Sequence, residues 1–166
     1  GLYCRASANK CDHVPVDWCN IGKPSDGEHS LYRGRICTLT TPVEIAAGTS
    51  LRLFASDNSS LPELGSAVIS GDGKTHHFLV YGSLTLEDLI LENGYSAADD
   101  AGSILVLRGT GTGGTVLLTR TVIRGCQSKN DATVVVASLG TVLTMAGATL
   151  ESNKGGGWGG AIAAFG

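Results

Sequence analysis

The sequence predicts an all-β fold: a right-handed parallel β-helix, or solenoid, with an irregular disulfide-bonded N-terminal cap. Three observations carry this prediction. One pattern is written three times, in segments that begin at Leu84, Val116 and Leu143, which are 32 and 27 residues apart. Such steps fall in the range of stacked repeats. No segment between the copies has a clear helical period, and four of the five cysteines cluster at the N-terminal end.

Each copy reads as a strand, a corner and a second strand. In the first copy, Leu84 and Leu86 alternate with polar residues, the pattern breaks, and alternation resumes at Leu89 and Leu91. This period of two is typical of a strand with one buried face. A strand of this length cannot bury its apolar face alone, so we expect each copy to lie on the next.

Stacking the copies in one register predicts three columns of equivalent side chains. The columns are Leu84, Val116 and Leu143; Leu91, Ile123 and Leu150; and Glu92, Arg124 and Glu151. The first two are apolar and are expected to be buried. The third alternates in charge, and because neighbouring strands lie about 4.8 Å apart, opposite charges there attract one another.

Residues 1–37 are predicted to form the cap. Cys4, Cys11, Cys19 and Cys37 lie there without the paired C-x-x-C spacing of a zinc site, so we expect disulfides rather than a metal. Four cysteines allow three connectivities, and the spacing does not choose among them. A cap would cover the first coil, whose unpaired edge would otherwise recruit other strands.

Residues 38–166 are predicted to form the coils. Short apolar runs separated by glycine-containing turns precede the three copies, and the chain ends inside a strand pattern at Gly166. An open last coil exposes an unpaired edge. We therefore expect further coils of the same chain beyond Gly166, or like subunits in an assembly, to cover that edge.

The composition disfavours some classes of function and favours others. Charged residues are 16% and the formal net charge is −3, which gives no basic face for nucleic acid. Clustered cysteines and the sequon at Asn58, a candidate glycosylation site, favour a secreted or cell-surface protein. No apolar run approaches the roughly 20 residues that a membrane-spanning helix needs.

The third copy resembles a known family. Leu150-Glu-Ser-Asn153 followed by Gly159-Gly-Ala-Ile162 is similar to the F-x-x-N and G-G-A-[ILV] repeat of the polymorphic outer-membrane proteins, with Leu in place of Phe. The other copies carry Gly94 and Cys126 where the motif has Asn. The resemblance covers residues 40–166 and implies a surface-displayed β-helix used for adhesion or as a shaft.

Enzymes of this architecture that cleave polysaccharides use paired carboxylates in a groove. The best candidates here are Asp99 and Asp100, with Asp131 on a later connector. Gly109 to Gly114 formally matches a dinucleotide motif, but a strand rather than a helix follows it, so no cofactor is expected. Threonine is frequent, which suggests ice binding as a further hypothesis. The unequal repeat steps disfavour it.

These observations favour a non-enzymatic extracellular module, structural or adhesive, belonging to a larger surface protein or filament. Its expected partners are further coils or like subunits, and surface glycans or receptors. No catalytic residue, cofactor or metal is assigned. The alternative is a carbohydrate-active β-helix, either a polysaccharide lyase or a glycoside hydrolase.

Overall fold

The chain folds as a parallel β-solenoid built from three five-stranded sheets. The computed structural model describes residues 2–5, 10–13, 17–57, 65–97, 101–108, 113–129, 132–137, 140–156 and 160–165. The strands are β1 (Leu2–Arg5), β2 (Lys10–His13), β3 (Gly27–Tyr32), β4 (Ile36–Thr38), β5 (Val43–Ile45), β6 (Ser50–Ser56), β7 (Ala67–Ser70), β8 (Phe78–Val80), β9 (Ser83–Glu87), β10 (Leu89–Glu92), β11 (Tyr95–Ser96), β12 (Ala101–Val106), β13 (Thr115–Thr119), β14 (Val122–Arg124), β15 (Gln127–Ser128), β16 (Ala132–Ala137), β17 (Val142–Ala146), β18 (Thr149–Glu151) and β19 (Ile162–Phe165).

Successive coils add one strand to each sheet. The first sheet has the order β3-β6-β9-β13-β17, the second β4-β7-β10-β14-β18 and the third β5-β8-β12-β16-β19. All of these pairs are parallel, and a short fourth ladder joins β11 to β15. The predicted parallel solenoid is therefore confirmed.

The predicted register of the three copies is also confirmed. Leu84 pairs with Val116 and Val116 with Leu143. In the second sheet, Ile123 lies between Leu91 and Leu150. Arg124 lies in the same way between Glu92 and Glu151. Because a shift of one residue would turn each apolar column outward, this register is fixed by burial.

The core runs along the solenoid axis. Leu51, Leu84 and Val116 form one fully buried column, and Ile69, Leu91 and Ile123 form another. These side chains belong to a single cluster. The interior is therefore filled by apolar side chains that stack from coil to coil.

Tight corners join the strands of each coil. Asp88 and Arg120 stand between the first and second strands with φ of 56° and 46°, and Gly147 takes the same place with φ of 64°. A second left-handed corner follows the second strand at Asn93, Gly125 and Ser152. Because left-handed φ disfavours most side chains, these corners fix where each strand must end.

Residues 1–37 contain both irregular and regular structure. β1 and β2 form an antiparallel pair, and a 3-10 turn spans Trp18–Ile21. β3 pairs with β6 and β4 with β7, so the parallel sheets start within this segment. The sequence gives little sign of β3, because Leu31 and Tyr32 at its end are its only large apolar residues.

Candidate functional site

One disulfide is defined among the four cysteines of the cap. Cys19 and Cys37 form a disulfide with a Cα–Cα distance of 5.6 Å, which ties the 3-10 turn to β4. In the pairing of β1 with β2, Cys4 is the backbone partner of Cys11. Of the three connectivities that the sequence allows, only the one that joins Cys4 to Cys11 is compatible with the observed bridge when all four cysteines pair.

A tryptophan closes the first coil. Trp18 is fully buried in the main core cluster, and its indole Nε1 donates to the carbonyl of Pro24 at 2.9 Å. The 3-10 turn that positions it is capped by Asp17, whose carboxylate accepts from the backbone N–H groups of Cys19 and Tyr32. The aromatic ring therefore supplies the cover that a further coil would supply elsewhere.

Ion pairs link neighbouring coils on the outer faces. Arg52 pairs with Glu28 at 2.8 Å and with Glu87 at 3.0 Å, so one guanidinium joins three coils. The hydrogen bonds that Arg52 donates to Glu87 and then to Glu28 raise its pKa. Each exposed pair contributes little to stability, but together they discriminate against wrong registers.

Of the predicted column Glu92, Arg124 and Glu151, the first pair is present, whereas Glu151 forms no ion pair with Arg124, and Asp88 forms a similar pair with Arg120. Arg120 contacts Asp88 at 2.7 Å, and Arg124 contacts Glu92 at 2.8 Å. The hydrogen bond from Arg120 lowers the pKa of Asp88. These carboxylates are therefore engaged in holding coils together.

The interior contains a histidine that is fully buried. His77 Nε2 lies 3.1 Å from the carbonyl oxygen of Glu92, and Nδ1 lies 2.9 Å from Ser103 Oγ. A carbonyl only accepts, so Nε2 carries the proton and Nδ1 accepts from the hydroxyl. Burial lowers the pKa of His77 to about 4, so the ring is neutral near pH 7.

The motif position after each second strand faces inward. In the last copy, Asn153 accepts from the Cys126 N–H and donates to the carbonyl of Ile123. In the middle copy, the Cys126 thiol accepts from the Gly94 N–H at 3.3 Å, and burial raises its pKa to about 11. Cys126 is a buried free thiol.

The first copy has glycine at this position because the space is already taken. A Cβ on Gly94 would lie 2.3 Å from the carbonyl oxygen of Gly102 and 2.7 Å from Cε1 of His77. His77 donates to the carbonyl of Glu92, at the end of the second strand, much as Asn153 donates to that of Ile123 in the last copy. The glycine of the first copy thus has a local physical reason.

A shallow groove lies at the fourth corner of the solenoid, beside the β11–β15 ladder. It encloses about 410 Å³ and takes one segment from each of three coils, with Asp72, Asn93, Tyr95, Gly125 and Gln127 along it. Asp72, Asn93 and Gln127 are exposed and Tyr95 is half-buried. We call these five residues the corner groove.

The last coil presents an uncovered end. Leu143, Met145 and Leu150 occupy the inward columns but are only partly buried. Ile162 continues the column of Ile104 and Val134, yet it is 41% exposed. We call the strands β17, β18 and β19 the C-terminal edge, since each is the last strand described in its sheet.

The predicted alternative site cannot be placed. Asp99, Asp100 and Asp131 lie outside the described residues, as does the sequon residue Asn58. Among the described residues, no three His, Cys, Asp or Glu side chains come together as a metal site. No helix within the same residues is long and apolar enough to span a membrane.

Comparisons with protein-family models, with curated proteins and with solved structures found no match for this chain. The resemblance to the polymorphic outer-membrane protein repeat stays a prediction.

Sequence reasoning found the stacked columns but missed the corner groove and the role of Trp18. Tyr95 and Gln127 follow the left-handed corners Asn93 and Gly125 by two residues. Aligning the copies past their last strand would have brought these two residues together. Trp18 has no such signal, because it belongs to no repeat.

Proposed function

We propose that this chain is a non-enzymatic structural or adhesive module of a larger extracellular or cell-surface protein, and that its solenoid is itself the working part. The C-terminal edge carries the proposal: its three strands, one in each sheet, form the last described coil, and their inward side chains are only partly buried. Strands in this state bind further strands. The occupant we propose is a further coil, supplied by the same polypeptide or by a like subunit.

The outer faces support a shaft rather than a catalyst. The carboxylates of Glu87, Asp88 and Glu92 are each held by an arginine of a neighbouring coil. A general acid or base needs a carboxyl group that is free to exchange a proton with substrate. The disulfide between Cys19 and Cys37 supports an oxidising compartment.

Sedimentation velocity over a range of concentrations tests the edge. We expect residues 1–166 to self-associate, and Thr144→Lys with Thr149→Lys to suppress the association, because lysines on an edge strand disfavour strand addition. Both threonines are exposed. Their matched controls are Thr85→Lys with Ile90→Lys, which occupy the same two columns in a central coil.

A chain that stays monomeric at every concentration would contradict the proposed edge docking, and equal effects of the edge and control variants would do so as well. A screen for cleavage of acidic and neutral polysaccharides tests the alternative. Cleavage that is abolished by Asp99→Ala or Asp100→Ala would replace the structural function with an enzymatic one.

A further inference from the structure

We propose that the corner groove binds a neutral oligosaccharide in an extended conformation along the solenoid axis. This inference deepens the adhesive part of the proposed function and rests on it. It goes further by naming the site and the chemical class of the ligand.

The shape of the groove favours an extended ligand. Its residues come from three successive coils, in the order Asp72, then Asn93 and Tyr95, then Gly125 and Gln127. Strands of neighbouring coils are about 4.8 Å apart, so the groove spans about 10 Å along the axis. Gly125 has φ of 60° and no side chain, which keeps the floor open beside the amide oxygen of Asn93.

The chemistry of the groove favours hydroxyl groups. The side chains of Asn93, Tyr95 and Gln127 make no hydrogen bond or ion pair with the described part of the chain, in contrast to the paired arginines and carboxylates on the other faces. An amide offers donors and an acceptor together, as a sugar hydroxyl does. A half-buried tyrosine adds an apolar ring face and a polar tip.

The charge of the groove favours a neutral ligand. Asp72 is paired with Lys74, whose Nζ lies 2.5 Å from the carboxylate, and this hydrogen bond raises the pKa of Lys74. One carboxylate and one ammonium therefore cancel at the rim. Among the groove residues and Lys74, neither an acidic nor a basic polymer finds an excess of opposite charge.

The backbone disfavours an extended peptide as the ligand. A peptide that joins a sheet needs free N–H and C=O groups. Here the N–H of Tyr95 donates to Thr75, that of Gln127 donates to Gly94, and that of Gly73 donates to Asn93. With these N–H groups engaged, the side chains supply the donors that recognise a ligand, and they suit scattered hydroxyls better than a regular peptide backbone.

Saturation-transfer NMR on the intact chain tests the site. The probes are hexasaccharides of β-1,4-glucose, β-1,3-glucose, α-1,4-glucose and β-1,4-mannose, with hexagalacturonic acid and a valine- and threonine-rich hexapeptide for comparison. We expect at least one neutral hexasaccharide to bind. Tyr95→Ala and Gln127→Ala should each weaken that binding about tenfold in Kd, the equivalent of about 1.4 kcal/mol.

Tyr81→Ala is the matched control, because Tyr81 is also half-buried but lies outside the groove; it should leave binding unchanged. Far-UV circular dichroism and the urea midpoint of each variant identify loss of folding. A variant that does not fold is replaced by Tyr95→Ser or Gln127→Glu, and binding is then judged on the replacement.

The inference is overturned if no neutral hexasaccharide binds, if only the acidic oligosaccharide or the peptide binds, or if the groove variants bind as the wild type does. Repeating the titration with the variant Thr144→Lys, Thr149→Lys separates this site from edge docking. Binding retained by that variant supports the groove whether or not the chain self-associates, and shortening of the bound sugar would overturn the non-enzymatic function while leaving the groove in place.

Discussion

The two ends of the solenoid bury the same kind of column to different extents. In the first coil Leu31, Cys37 and Ile45 are fully buried, whereas in the last coil the inward residues Leu143, Met145 and Leu150 are half-exposed. The strands themselves are equally regular at both ends. The difference is that the first coil is covered by a 3-10 turn and the last coil by no described residue.

The comparison shows what a coil requires. Parallel pairing satisfies the backbone on one side only, so a terminal coil needs either another coil or an irregular cover. At the N-terminal end, Trp18 and the bridge from Cys19 to Cys37 provide that cover. At the C-terminal end, the exposed apolar columns mark where a cover would bind.

The largest expected effect comes from a substitution that uncovers the N-terminal end of the solenoid. Trp18→Ala should lower the free energy of unfolding by about 3–5 kcal/mol, because a fully buried tryptophan leaves a cavity over the first coil. Urea unfolding followed by circular dichroism measures the change. Ile21→Ala in the same turn is the control, since Ile21 is 41% exposed; similar losses for both variants would show that Trp18 is not the cover.

A matched pair of leucines compares the middle of the solenoid with its open end. Leu91 and Leu150 share a column with Ile123 between them, but only Leu91 is fully buried. Leu91→Ala should cost about 2–5 kcal/mol, and Leu150→Ala roughly half as much or less, because part of its surface is already in water. The same urea assay measures both losses. Equal losses would mean that the last coil is already covered in solution, for instance by self-association.

The sequence predicts the coils of the middle and of the open C-terminal end, but not the first coil. Alternation at Leu84, Val116 and Leu143 predicts the strands, the register and the open end, because burial on one face leaves a period of two. The first coil escapes prediction since β3 carries Gly27 and His29 where the next coil carries Leu51 and Leu53. There the fold is decided by the tertiary contact with Trp18, which no local pattern encodes.

The corner groove could be predicted from the sequence only in part. Its residues follow the repeat and could be aligned, but their lack of partners is a property of the folded chain. Sequence alone places Glu92 and Gln127 in equally polar surroundings. Only the structure shows that the first is held by Arg124 while the second faces an open groove.

A pH titration tests the buried middle of the solenoid independently of either end. Burial, together with the neighbouring His76, lowers the pKa of His77 to about 4 from 6.5. The unfolded chain binds a proton below pH 6.5 that the folded chain binds only below about pH 4. The contribution of His77 to the free energy of unfolding is therefore greatest above pH 6.5. It falls by up to about 3 kcal/mol as the pH drops to 4.

His77→Gln removes this titration while keeping an amide that can donate to the Glu92 carbonyl. Unfolding free energies of both proteins between pH 7 and pH 4 give the contribution of His77 as a difference, which also cancels the carboxylates they share. The expected result is a shallower pH dependence in the variant. Parallel curves would show that His77 is accessible to protons in the folded chain.

The smallest expected effect comes from the outer charges and again contrasts the middle with the open end. Glu92 is paired with Arg124, whereas Glu151 is the register partner of Arg124 in the last coil and is exposed. Glu92→Gln should cost less than about 1 kcal/mol, and Glu151→Gln should cost less than Glu92→Gln. Unfolding in 1 M salt should reduce both losses, because screening acts within about 3 Å there. If Glu151→Gln costs as much as Glu92→Gln and salt does not reduce its loss, the last coil is shielded from solvent, and the contrast between the two ends would have to be abandoned.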